Sequence, residues 1–243
     1  MNEQQTRKLK CKKFNVFAYL KRIWTGTSSK KEYLVYFVIV LAIYFTGVIL
    51  AASVYPEEFS MREVYISYLG GYPNNPDGYM IYNTCEFIAG FLLIPHFVYL
   101  LRNIWPTAKL LNVITALFGI IGCIGFALIA IWHQGTPGDG HSITTWLAFG
   151  GFGGAAFFMF FLLIRKMMLK DSWPKWYTFL LLYGSTFAIL ITTLLLENYS
   201  DWFIALGLDP AYTSGKFMEW MYFFTVFDWL IFSVLVTPGL IKD

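Results

Sequence analysis

Residues 110–132 read LLNVITALFGIIGCIGFALIAIW, a run without a single charged side chain. A helix rises about 1.5 Å per residue, so a run of this length crosses the roughly 30 Å hydrocarbon core of a bilayer. A second uncharged run, residues 143–164 (ITTWLAFGGFGGAAFFMFFLLI), meets the same test. Working outward from these two, segments 33–54, 79–101, 176–196 and 216–236 also qualify, which makes six. None alternates apolar and polar residues with the period of two that barrel strands require, and backbone groups in lipid must be paired within a helix or a closed barrel. The predicted fold class is therefore all-α, a bundle of six transmembrane helices. Composition agrees: 57% of the 243 residues are hydrophobic and 14% are charged, against roughly 25% charged in an ordinary soluble domain. A disordered chain is excluded by that balance, and a soluble one is disfavoured.

Lysine and arginine fix the orientation, because loops rich in them stay cytoplasmic. Arg7, Lys8, Lys10, Lys12, Lys13, Lys21, Arg22, Lys30 and Lys31 precede the first span. Arg102, Lys109, Arg165, Lys166, Lys170, Lys175 and Lys242 fall on the same side, and only Arg62 and Lys216 fall on the other. Both termini are expected in the cytoplasm, with a basic tail over residues 1–31 and one membrane domain over 32–243. The net charge of +3 conceals this polarity. Besides setting topology, a polybasic stretch beside a span attracts anionic lipid headgroups, at about 1 kcal/mol per cation. Nucleic acid is not an expected partner, since the basic run has no fold to present it. The first apolar segment is too long for the core of a cleavable signal and is expected to stay as an anchor.

Cys11 is placed in the cytoplasm and Cys85 and Cys123 within spans, so no disulfide framework is expected. The loop at 133–142 carries His133, Asp139 and His141, but their spacing fits no zinc motif, and neither a metal nor a cofactor is expected. No hydrolase elbow or phosphate-binding loop occurs. Gly150 and Gly154 form a GxxxG spacing, and Gly119, Gly122 and Gly125 line the third span; both patterns predict close helix packing. Tryptophans including Trp24, Trp105, Trp132, Trp146, Trp173, Trp176, Trp202 and Trp220 cluster near the predicted span ends, as interfacial anchors do.

Ionisable groups inside a span cost several kcal/mol unless paired or wetted, so each is a candidate site. Glu86 lies about 10 Å into the second span, and His96 about 15 Å deeper and turned round the helix, so the two cannot pair. In the sixth span Glu219 is near the outer end, and Asp228 is about 13 Å further in, on the opposite face. Asp228 is read either as a structural hydrogen-bond partner of a neighbouring span or as a group handling ions, protons or substrate.

The order of short motifs adds a further expectation. The first outer loop carries Tyr65-Ile66-Ser67-Tyr68-Leu69-Gly70-Gly71-Tyr72-Pro73, and the second span has Asn83 and ends Tyr99-Leu100-Leu101-Arg102. The third opens Leu111-Asn112 and continues through Gly119 to Gly122-Cys123-Ile124-Gly125. Gln134, His141 and Phe149-Gly150 follow, and the sixth span begins Met218-Glu219-Trp220. Over residues 33–236 this arrangement resembles the damage-regulated autophagy modulator, Frag and Sfk superfamily of six-span proteins. The resemblance implies that Ser67, Gln134, His141 and Glu219 match recurring family positions.

Topology puts those four residues at one membrane interface, where they could form a single hydrogen-bonded cluster. As structure, such a cluster locks the loops over the bundle; as an enzyme site, His141 paired with Glu219 would serve as base toward Ser67 or a lipid hydroxyl. The leading expectation is a non-enzymatic regulator or organiser of membrane lipids or of autophagy-type processes, as the resemblance implies, with membrane lipids as partners. The rival is an enzyme of lipid or GPI-anchor remodelling at the outer interface. A third is a small transporter using Asp228 and Glu86.

Overall fold

The structure, a computed structural model, describes residues 15–103, 108–168 and 179–240. Arg7, Lys8, Lys10, Cys11, Lys12, Lys13, Trp105, Lys170, Trp173, Lys175, Trp176 and Lys242 lie outside the described residues. The regular elements among them are all helical: α1 (Val16–Trp24), α2 (Lys30–Ser53), α3 (Tyr79–Asn103), α4 (Lys109–Ile129), α5 (Gly140–Met168), α6 (Ser185–Asn198), α7 (Ser200–Ala205) and α8 (Gly215–Leu240). Five of these, α2, α3, α4, α5 and α8, are long and apolar enough to cross a membrane, against the six predicted. The segment predicted over 176–196 supplies a shorter apolar helix, Leu182–Asn198. It includes a π-helical turn at Leu180–Gly184. The chain is a helical multi-pass membrane protein.

Local chemistry sets the helix ends. Asn15 caps α1 by accepting from the Ala18 N–H at 3.0 Å. Ser29 and Glu32 form a capping box at the start of α2, each side chain accepting from the other's backbone N–H. Glu32 also pairs with Arg22, which ties α1 to the head of α2. The turn between them docks on the end of α3: Arg102 donates to the Thr25 carbonyl at 3.1 Å and Asn103 to the Gly26 carbonyl at 2.8 Å. Gly26 has φ +64, and a Cβ there would lie 3.0 Å from the Val98 carbonyl oxygen, so the position requires glycine.

Helices α4 and α5 approach through small residues, as lipid-embedded packing favours. A Cβ on Gly122 would meet the Phe152 nitrogen at 2.8 Å, and Gly151 abuts the Gly122 backbone. The packing register differs from the expected Gly150/Gly154 pair: Gly154 lies against Phe118, but Gly150 faces open space. Outward positions remain apolar, with Trp146 79% exposed, as a surface in contact with lipid rather than water demands.

His96 is only 1% exposed and joins three spans. Its Nδ1 meets the Tyr33 hydroxyl at 2.5 Å, and its Nε2 meets Ser233 Oγ at 3.1 Å. Ser233 itself donates to the Leu230 carbonyl at 2.8 Å, so the set is satisfied with Nε2–H donating to Ser233 and Nδ1 accepting from Tyr33. Pro95, one residue earlier, interrupts the ladder of α3. In that turn the Tyr36 hydroxyl donates to the Leu92 carbonyl at 2.9 Å.

At the opposite end from α1, called the far face below, residues 54–78 fold over the bundle around a 3-10 turn, Ile66–Gly70. Asn75, fully buried, holds this loop: its Nδ2 donates to the Ala51 and Leu69 carbonyls, each at 3.1 Å, and its Oδ1 accepts from the Gly78 N–H at 3.2 Å. The Trp220 indole donates to the Val64 carbonyl at 2.8 Å. Arg62 pairs with Asp209 at 3.3 Å, tying the loop to the segment before α8.

Candidate functional site

Under this folded loop lies a cavity with about 590 Å³ of space free of protein atoms, counting the part open to the surroundings. Its walls come from α2 (Tyr44), the loop (Ile66, Ser67, Gly70), α3 (Tyr82, Asn83, Glu86), the end of α4 and the following loop (Phe126, His133, Gln134), α5 (His141, Thr145, Phe152) and α8 (Glu219, Phe223, Phe227). The spacing on α3 explains three of them. Tyr82 and Asn83 lie four and three residues before Glu86, which puts all three on one helix face.

Ser67, Gln134, His141 and Glu219 all line this cavity, but they are not one hydrogen-bonded chain. Ser67 Oγ donates to Glu219 Oε2 at 3.3 Å. Through this bond the acid holds the start of the 3-10 turn Ile66–Gly70, as anions do at the head of a helical turn. His141 turns instead to the Trp132 carbonyl, 3.1 Å from its Nδ1. A carbonyl only accepts, so Nδ1 carries the proton and, in the neutral ring, Nε2 is an acceptor. His133 makes the same type of bond to the Gln134 carbonyl at 3.0 Å. Ser67 therefore has its carboxylate partner without the hydroxyl-to-histidine bond of an activated nucleophile.

Glu86 differs from Glu219. It is 2% exposed, lines the cavity, and its Oε2 has no protein hydrogen-bond partner. Asn83 Oδ1 and Thr145 Oγ1, on the same walls, are also buried and unpartnered. Asn83 is oriented by its other end, Nδ2 donating to the Gly70 carbonyl at 2.9 Å. The Tyr44 and Tyr82 hydroxyls bond to each other at 3.1 Å. Tyr44 stacks on Phe227 with ring centroids 4.9 Å apart. Among the described residues, no lysine or arginine lines the cavity. Two acids, unpartnered polar atoms and aromatic faces thus converge beside two histidines, with no lysine or arginine among the described lining residues.

The other intramembrane polar residues stand apart from this cavity. His96 is held by Tyr33 and Ser233 as described above. Asp228 accepts from Ser185 Oγ and Thr186 Oγ1, each at 2.8 Å, just beyond the π-helical turn. Among the described residues, no group of three or more His, Cys, Asp or Glu side chains is placed to hold a metal ion. Tyr44, Tyr82 and Thr145 were not singled out from sequence. For Tyr82 the i to i+4 spacing from Glu86 was a usable signal, but nothing local marks Tyr44 or Thr145.

Comparison with known proteins corrects the expected relationship. The sequence model of a family described as "Protein of unknown function (DUF998)" matches residues 38–208, most of the membrane domain. No curated protein and no solved structure matches. The resemblance to the damage-regulated autophagy modulator, Frag and Sfk superfamily is overturned by that match, and the autophagy and GPI-anchor expectations that rested on it fall with it. The physical reason lies in the motifs themselves. Ile66-Ser67, Gln134, His141 and Glu219-Trp220 are short polar and aromatic groups of the kind any multi-span chain places at its interfaces, so their order reports topology more than descent. With more than half of its length matched, the chain belongs to the DUF998 family.

Proposed function

We propose that this multi-pass membrane protein binds a ligand bearing an ammonium or similar cationic, hydrogen-donating head in the far-face cavity. The observation that carries the reading is Glu86, a buried carboxylate facing the cavity with an oxygen that no protein group satisfies. Burying such a group alone costs several kcal/mol, and pairing it with a donor removes that cost. A cationic head would pair with Glu86, donate to Asn83 Oδ1, and lie against the Tyr44 and Phe227 rings, where cation–π attraction contributes about 0.5–2 kcal/mol. An anionic head is disfavoured by the same walls, which among the described residues hold two acids, two histidines that bond to backbone carbonyls, and no lysine or arginine.

The reading keeps a membrane amphiphile or small amine as partner and sets aside the two rivals on specific grounds. Remodelling chemistry as read from the sequence needs His141 paired with Glu219 as base, whereas His141 Nδ1 bonds to the Trp132 carbonyl and Glu219 to Ser67. Transport through Asp228 would need that group available, and two hydroxyls already donate to it. We also infer six spans with both termini cytoplasmic, from the apolar run of the sequence at 176–196 and the distribution of lysine and arginine. The far face then looks away from the cytoplasm, and the basic tail meets anionic headgroups on the cytoplasmic side.

The test is binding of butylammonium to the protein in phosphatidylcholine nanodiscs, measured by calorimetry. Saturable binding that Glu86→Gln weakens tenfold or more is expected. Equal binding by wild type and E86Q, or none by either, refutes the reading.

A further inference from the structure

A second, apolar recess adjoins the cavity. It lies between α5, α6 and α8, has about 940 Å³ of space free of protein atoms counting the part open to the surroundings, and is walled by aromatic and aliphatic side chains. Phe157 and Phe187 on its rim are 58% and 42% exposed, so it opens sideways at the depth of the spans. Phe152 and Val226 line both spaces. Along α5 the cavity begins at His141 and the recess ends at Phe161, while along α8 the order runs from Glu219 to Trp229. The two spaces therefore follow one another along the α5–α8 seam, polar toward the far face and apolar toward the membrane centre.

That polarity matches an amphiphile in a leaflet, with its head at the interface and its chain pointing to the midplane. From Phe152 to Phe161 the recess follows α5 for about 14 Å, less than half of the roughly 30 Å core. Resting on the reading of the cavity given above, we infer that the seam holds one long-chain amine, its ammonium on Glu86 and its hydrocarbon chain in the recess walled by Phe157, Phe160 and Phe187. The chain would thereby select membrane-dissolved amines over short soluble ones.

The test uses dodecylamine carrying a photoreactive diazirine near the chain end, with the full-length protein in phosphatidylcholine nanodiscs and labelled positions mapped by mass spectrometry. Labelling is expected to concentrate at Phe157, Phe160 and Phe187 over lipid-facing Leu110, and excess butylammonium should displace it. Gly153→Trp fills the recess, since a Cβ at Gly153 meets nothing within 4 Å, and both it and E86Q should lower the labelling several-fold. Size-exclusion elution checks that each variant stays folded. Even labelling of recess and lipid-facing positions by a protein that still binds butylammonium overturns this inference and leaves the cavity reading standing. Recess labelling unaffected by E86Q and by butylammonium overturns it too, by showing a chain site independent of the cavity. Absence of butylammonium binding overturns the cavity reading first and this one with it.

Discussion

Glu86 carries the functional reading, and replacing it should make the unliganded protein more stable. Its Oε2 is buried in the bundle without a protein partner. A buried polar atom left unsatisfied costs about 1–3 kcal/mol, and more when it bears charge. Glu86→Leu removes that cost and keeps most of the side-chain volume, so unfolding of the empty protein should become harder by about 1–3 kcal/mol, roughly a five- to 150-fold shift in the unfolding equilibrium. Glu86→Gln should give part of this gain, because an amide costs less to bury than a carboxylate. The assay is reversible unfolding by sodium dodecyl sulfate in mixed micelles, followed by tryptophan fluorescence, with no amine present. Stability bought at the expense of binding is the usual signature of a ligand-facing group held in a strained electrostatic position. A loss of stability in both variants would refute the reasoning, since it would mean that Glu86 already has a partner inside the fold.

Glu219 should behave in the opposite way. Glu219→Ala removes the acceptor for Ser67 Oγ, costs about 1–3 kcal/mol in the same assay, and speeds hydrogen exchange over residues 64–71. Asn75→Ala leaves the Ala51 and Leu69 carbonyls without that donor, and limited proteolysis should then cut within residues 55–78 that wild type protects. His96→Leu breaks the bonds to Tyr33 and Ser233 and should destabilise by about 2–4 kcal/mol, read by the detergent titration. Asp228→Asn keeps an acceptor for Ser185 and Thr186 and should change stability by less than about 1 kcal/mol, whereas Asp228→Ala should lose about 1–3 kcal/mol; equal effects would refute the structural role given to the carboxylate. Gly151→Leu should disrupt the α4–α5 contact and give aggregated protein by size-exclusion chromatography, while Gly150→Leu, facing open space, should elute as wild type.

Much of the helical framework was legible because the information is local. The segments predicted at 33–54, 79–101, 110–132, 143–164 and 216–236 agree with Lys30–Ser53, Tyr79–Asn103, Lys109–Ile129, Gly140–Arg165 and Gly215–Val236 to within a few residues. Their ends follow side chains near in sequence, such as the Ser29–Glu32 capping box. Gly150 shows where local reading stops: GxxxG marks a face able to pack, yet the partner helix chose the register one residue on, at Gly151. The resemblance to another superfamily failed for a related reason, since short interfacial motifs carry topology and little ancestry.

From sequence alone, Asp228 near the midplane was the most expensive acid in the membrane and Glu219 at the outer end of its span the cheapest, with Glu86 unpaired on its own helix, and the apolar runs around them determined that the chain crosses the membrane repeatedly. Only the tertiary structure decided which of them is satisfied, because what satisfies each acid comes from a distant part of the chain. Ser67 reaches Glu219 from 152 residues away, and Ser185 and Thr186 reach Asp228 from 43 and 42. Glu86 faces a space bounded by α2, α3, α4, α5 and α8 in which no such donor arrives. Hydrophobic patterning acts over a helical turn and can be read one segment at a time. Whether a buried polar group is satisfied depends on how segments meet, and that is where the structural acids separate from the one left for a ligand.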